Sequence, residues 1–230
     1  MKRRIRRFAV IVFAVPLIVT GSWFGYKFAT ANFAEVVPGA IYRSGQLDSK
    51  TLGRLVGEKK IKTVLNLRGS HPESEWYRRE REATLSAGAV QVDIALSSSE
   101  WMSRAQAKAL LEALDTSEYP ILIHCWRGAE RTGLVSAITR LLAAEGSIAA
   151  AEGQFSWRYL YFPVGHGVMM TKHIRQYQDW LTEEKLAHTP ETFRRWLRSG
   201  YRPGSPCRED WPYDPYPVIV VSKPKATAIR

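Results

Sequence analysis

The chain has 230 residues, with 33 Lys and Arg against 22 Asp and Glu and a formal net charge of +11. The basic excess suits anionic substrates or a membrane surface, but the charges form no single run and no nucleic-acid motif is present, so a nucleic-acid partner is not expected. Two cysteines, Cys125 and Cys207, do not read as a structural disulfide, and no zinc site or other metal-ligand spacing is apparent.

Taken in chain order, five basic residues within positions 1–7 precede Phe8 to Tyr26, which carries no charge. Nineteen residues at helical rise make about 28 Å, enough for a hydrocarbon core of ~30 Å. The positive-inside rule then puts the N-terminus in the cytoplasm and the rest of the chain on the opposite, extracytoplasmic side. A cleaved signal peptide is the rival reading, since Ala29, Thr30 and Ala31 fit a small-x-small site. The aromatics Trp23, Phe24, Tyr26 and Phe28 crowd the approach to that site and favour an uncleaved anchor.

Residues 27–35 read as a linker, 36–200 as one folded domain and 201–230 as a proline-rich tail, extended and lying partly on the domain before running free. Asp48 caps a helix whose buried face is Leu52, Leu55 and Val56. Thr63 to Leu67 is a buried strand, Pro72 to Ala87 a charged surface helix, and Val90 to Ile94 the next strand. Ser103 and Gln106 form a capping box ahead of a helix with Ala107, Leu110, Leu111 and Leu114 on its core face. Ile174, Tyr177, Trp180 and Leu181 share a later helix face, and Thr189 with Pro190 starts a last helix that Gly200 stops. Strands alternating with helices predict an α/β fold with a central, largely parallel sheet flanked by helices, preceded by one transmembrane helix.

His124 to Gly133 reads His-Cys-Trp-Arg-Gly-Ala-Glu-Arg-Thr-Gly. It follows the apolar strand Ile121 to Ile123 and precedes a helix with Leu134, Val135, Ile138, Leu141 and Leu142 on one face. A loop between a strand and a helix N-terminus aims backbone N–H groups and the positive end of the dipole at one point. Such a place holds an anion, and it lowers a cysteine pKa from ~8.5 to roughly 3.5–7.5. Gly128 allows the tight turn, and Arg131 supplies a planar fork for two phosphate oxygens.

This stretch resembles the signature of the cysteine-based protein tyrosine phosphatase superfamily, His-Cys-x-x-Gly-x-x-Arg-Thr/Ser-Gly, with every fixed position filled. Pro38 to Gln46 and the Leu65 to Arg68 stretch look like the atypical branch of dual-specificity phosphatases shared by plants, fungi and bacteria. The resemblance covers roughly Val36 to Ala144. It implies that Cys125 attacks phosphorus and forms a phosphocysteine. Trp126, Arg127, Gly128, Ala129, Glu130 and Arg131 would surround the phosphoryl group. Thr132 would assist the sulfur leaving group, and His124 would orient the loop and tune the thiol. No cofactor is implied.

The acid is less clear from the residues. Asp93 lies thirty-two positions before Cys125, as the family's loop Asp does, yet a loop alignment puts that position near Ser97, with Glu100 the nearest carboxylate. Asp93, Glu100 and no conventional acid all stay open. The expected substrate is a phosphorylated protein or a small phosphate ester. A lipid or inositol phosphate, and a pseudophosphatase that binds phosphorylated ligands without turnover, are the alternatives; a rhodanese fits the loop less well. The oligomeric state is not encoded in any pattern.

Overall fold

Four short strands with buried side chains on both faces build the centre of the sheet. In the computed structural model, which describes residues 2–207 and 219–224 and no side chain of residues 2–13 or 166, these are β2 (Ile41–Ser44), β3 (Thr63–Asn66), β4 (Val90–Asp93) and β5 (Ile121–His124). They run parallel in the order β2, β5, β3, β4. The antiparallel strands β1 (Ala34–Val37) and β6 (Val220–Ser222) close the two edges. The parallel part fits the sequence expectation.

Strand alternation divides the core between the two faces. Tyr42, Val64 and Leu122 pack on one side against Leu52 and Val56 of α2 (Ser49–Glu58), beside α3 (Glu75–Ser86). Ile41, Leu65, Val92, Ile121 and Ile123 face the larger cluster on the other side. That cluster draws on α4 (Arg104–Thr116), α5 (Glu130–Leu142), α6 (Ile148–Glu152), α7 (Val168–Glu183) and α8 (Pro190–Arg195), which continues through a π-turn to Gly200. The expected caps are present. Asp48 Oδ1 accepts from the Thr51 amide at 2.9 Å, and Ser103 and Gln106 form a reciprocal box. Thr189 Oγ1 accepts from the Thr192 amide at 3.0 Å.

Register decides where the loops emerge. Ser44 and Asn66 both pair with His124, and Asn66 pairs with Asp93 on its other side. Four strand ends therefore lie in one row, and the segments that follow them gather at the carboxyl edge of the sheet, where open α/β sheets place ligands.

Residues of the expected tail lie on the domain: Tyr201 Oη donates to the Met102 carbonyl at 2.5 Å, Cys207 is buried in a bridge with Trp101, and β6 extends the sheet beside β4. Trp211 and the prolines around it lie outside the described residues. The segment expected to span a membrane is one backbone helix, α1 (Lys2–Ala29). Among the described residues no helix is long and apolar enough to cross a membrane, but the side chains of positions 8–13, within the expected span, are outside them.

The end of α1 packs on the domain. Trp23 lies 4.8 Å from Trp157 between ring centroids, Phe24 stacks on Phe162 at 6.4 Å, and Lys27 Nζ sits 5.5 Å over Tyr159. Ala31 and Asn32 take positive φ, which ends α1 and turns the chain into β1.

Candidate active site

Cys125 follows β5 and is 1% exposed, on the floor of a loop that ends at the first turn of α5. Burial alone pushes its thiol up. The Arg131 guanidinium, the Thr132 hydroxyl and the amides of Thr132 and Gly128 outweigh that cost and leave the thiol below its ordinary range. Arg131 reaches across the loop with only long contacts, from Nη1 to the carbonyls of Leu67 (3.4 Å) and Leu96 (3.3 Å). Its buried Nε has no protein partner.

The loop's amides point inward because its carbonyls are held from outside. Arg43 Nη2 donates to the Gly128 carbonyl at 2.8 Å, while Nη1 donates to Gln154 Oε1 at 2.9 Å. Arg43 is fully buried and stacks 3.9 Å from the Tyr159 ring centroid. Burial lowers its pKa to about 10, which still leaves it cationic at neutral pH. The Asn32 side-chain amide is shared among the carbonyls of Gly128 (3.0 Å), Arg127 (3.3 Å) and Tyr159 (2.8 Å). The Gln46 amide donates to the Trp126 carbonyl at 3.0 Å. Gly128 has φ +70°, and a Cβ there would lie 2.5 Å from the Gly45 nitrogen, so only glycine fits this crossing of two backbones.

Behind Cys125, His124 Nε2 lies 3.2 Å from Glu80 Oε1, with both side chains almost fully buried. Burial opposes the imidazolium. The Glu80 carboxylate and the neighbouring Cys125 outweigh it, and His124 stays cationic to higher pH than a free histidine. Gln46 links this pair to the rim: its Nε2 donates to Glu80 Oε2, and its Oε1 accepts from Arg68 Nη1 at 2.6 Å. The Arg68 guanidinium lies between the Trp76 ring (3.3 Å to the centroid) and the Trp126 ring (4.8 Å). Burial lowers its pKa, and the charges of Glu80, Arg131 and Cys125 all reach it.

An open cavity of about 290 Å³ lies at the rim of this loop, lined by Ser98, Trp126, Arg127, Glu130, Arg131 and Gly167. The structure thus brings together His124, Cys125, Gly128, Arg131 and Thr132 as the sequence predicts, with Ala129 buried beneath them and Trp126 and Arg127 exposed at the rim.

Asp93 is elsewhere. It is 1% exposed, and its Oδ2 accepts from Tyr77 Oη at 2.5 Å. Its Oδ1 accepts from Asn66 Nδ2 (2.8 Å) and Gln91 Nε2 (3.0 Å). Burial pushes its carboxyl up despite these donors, but it does not line the cavity; it anchors α3 to the end of β4. Glu100 is not a lining residue either. The carboxylate that does line the cavity is Glu130, which the sequence reading placed only beside the phosphate. Asn32, Arg43, Arg68 and Glu80 were not singled out from sequence. Arg43 and Arg68 lie within the two stretches that carry the family resemblance, whereas Asn32 and Glu80 sit in a linker and a surface helix.

Comparison with known proteins agrees with this geometry. The sequence profile of the tyrosine phosphatase family matches residues 28–154. Among solved structures, TpbA from P. aeruginosa is similar at 19% identity and a TM-score of 0.51, over 64% of this chain and 85% of that one. A TpbA variant in complex with pTyr gives 17% identity and a TM-score of 0.52, over 74% of this chain and 92% of that one. The core catalytic domain of the PP-IP phosphatase SIW14 from S. cerevisiae, in complex with citrate, gives 25% identity and a TM-score of 0.50, over 69% and 96%. No curated protein sequence matches the chain.

Proposed function

Because the chain belongs to the tyrosine phosphatase family, we propose that it is a membrane-anchored phosphatase that hydrolyses phosphate monoesters through a phosphocysteine intermediate. The observation that carries this reading is the convergence of Arg131, Thr132 and the loop amides on the buried Cys125 sulfur. The Cys125 thiolate attacks phosphorus, forming the S–P bond as the P–O bond to the leaving group breaks. Arg131 and the inward amides hold the equatorial oxygens, where transition-state charge collects. Water then attacks phosphorus, the S–P bond breaks with the Thr132 hydroxyl beside the departing sulfur, and inorganic phosphate leaves. The intact thiol and guanidinium favour turnover over mere phospho-ligand binding.

Glu130 is assigned the proton donor to the leaving oxygen, since it is the carboxylate in the cavity wall. Glu130→Gln is expected to slow an alkyl phosphate about 10²-fold and to spare a nitrophenyl ester, whose leaving group needs little protonation. Asp93→Asn is expected to cost about 1–3 kcal/mol of stability through its buried hydrogen bonds and to leave the ratio of alkyl to nitrophenyl rates unchanged. A selective loss of alkyl phosphate turnover with Asp93→Asn, and none with Glu130→Gln, reverses the assignment.

The anchor reading is supported by the uncharged Phe8 to Tyr26 segment and by Leu17, Ile18 and Val19, which stand exposed along α1. It orients the N-terminus to the cytoplasm and the active site to the other side. Full-length protein should stay with membranes through alkaline carbonate extraction, and a reporter fused at its C-terminus should be active only outside the cytoplasm. Release into the soluble fraction as a chain shortened near Ala31 would establish the cleaved-signal alternative instead.

A further inference from the structure

A second depression adjoins the catalytic one and shares a wall with it. It is a groove of about 510 Å³ between the last turns of α1 and the signature loop. Phe24, Phe28, Leu160 and Phe162 supply its apolar lining. Trp126 and Arg127 line both this groove and the cavity beside Arg131, so the two depressions adjoin. Lys27 and Arg127 are its charged lining residues, and no carboxylate is among them. A polyanion would find two cations there set among four large apolar side chains. An amphiphile with one phosphate and an apolar body matches the mixture better.

The surroundings extend the apolar surface. Phe28 is 73% exposed, Val164 72%, Trp126 57% and Phe162 48%. Large side chains exposed together around one site are not ordinary surface composition. They lie beside the end of α1, whose preceding turns expose Leu17, Ile18 and Val19. Aromatic residues next to an uncharged helical segment are the usual furniture of a membrane–water boundary. The contact is also structural. Asn32, a lining residue of the groove three positions beyond the end of α1, holds the carbonyls of Arg127 and Gly128.

We propose that this groove seats the apolar chain of a membrane-resident phosphate monoester, with the phosphate on the signature loop and the bond to be cleaved between the two depressions. The proposal rests on the phosphatase reading and names its substrate class.

The test uses full-length protein in lipid nanodiscs and a series of 4-n-alkylphenyl phosphates, from methyl to hexyl, below their micelle concentrations. The leaving group stays constant along the series, so only chain burial changes. The ratio kcat/KM is expected to rise about twofold to fourfold per added methylene. Phe28→Asp and Phe162→Asp are each expected to flatten that rise. A flat series in the wild-type protein overturns the groove assignment while leaving the phosphatase reading intact. A rise of equal slope in both variants also overturns it, because partition into the bilayer would then account for the gain. A larger gain from added phosphates on an inositol ring than from added methylenes would assign the groove to polyanions instead. Failure to hydrolyse any member of the series would remove the phosphatase reading itself.

Discussion

Cys125→Ser is expected to lower kcat by a factor of about 10⁴ or more, with phosphate binding retained. The seryl hydroxyl does not ionise under conditions where the cradle holds the Cys125 sulfur as a thiolate. The anion-binding parts of the site are untouched: Arg131, the inward amides held by Arg43 and Asn32, and the N-terminal turn of α5. The measurement pairs single-turnover kinetics with a thermal shift in inorganic phosphate. In the wild-type protein the acid limb of kcat/KM should lie below the ordinary thiol range, because the thiol pKa is lowered and the reactive form exists above it. Comparable rates for the two proteins would remove the covalent mechanism. An acid limb at or above the ordinary thiol range would contradict the electrostatics of the loop.

Arg131→Lys is expected to reduce kcat/KM by about 10² to 10³ while costing little stability. Charge is conserved, so the loss measures the planar fork. The small stability effect follows from the two long contacts of Nη1, at 3.3 and 3.4 Å, which contribute little to the fold. A variant within threefold of wild type would mean that Arg131 is not the phosphate clamp. A large loss of melting temperature would mean that its role is to brace Leu67 and Leu96.

The signature stretch was legible because all its parts are local. Strand, tight turn, anion-binding amides and helix start occupy consecutive residues, and their chemistry depends on backbone direction more than on distant partners. For the same reason the caps at Asp48, Ser103 and Thr189 and the apolar faces of α2 and α4 could be read from spacing. The surroundings of Asp93 could not. It lies thirty-two positions before Cys125, and the distance along the chain does not say on which side of the sheet a strand-end carboxylate points. In the fold it points to Tyr77 and Asn66, where burial and three donors keep it.

What the sequence by itself determined is the signature loop with its Cys125 and Arg131, the parallel α/β order and an uncharged segment after a basic start. Each is written in short-range pattern: residue type at fixed spacing, period of hydrophobicity, sign of charge. Only the tertiary structure decided which residues hold that loop open and what lies beside it. Asn32, Arg43, Glu80 and Gln46 act through hydrogen bonds and charges to residues far away in the chain, and such pairings exist only once the sheet is in register. The conversion of tail residues 220–222 into an edge strand and of the linker's Asn32 into a brace has the same cause. A free sheet edge and a row of outward carbonyls each need hydrogen-bonding partners, and the fold recruits whichever segment it brings near.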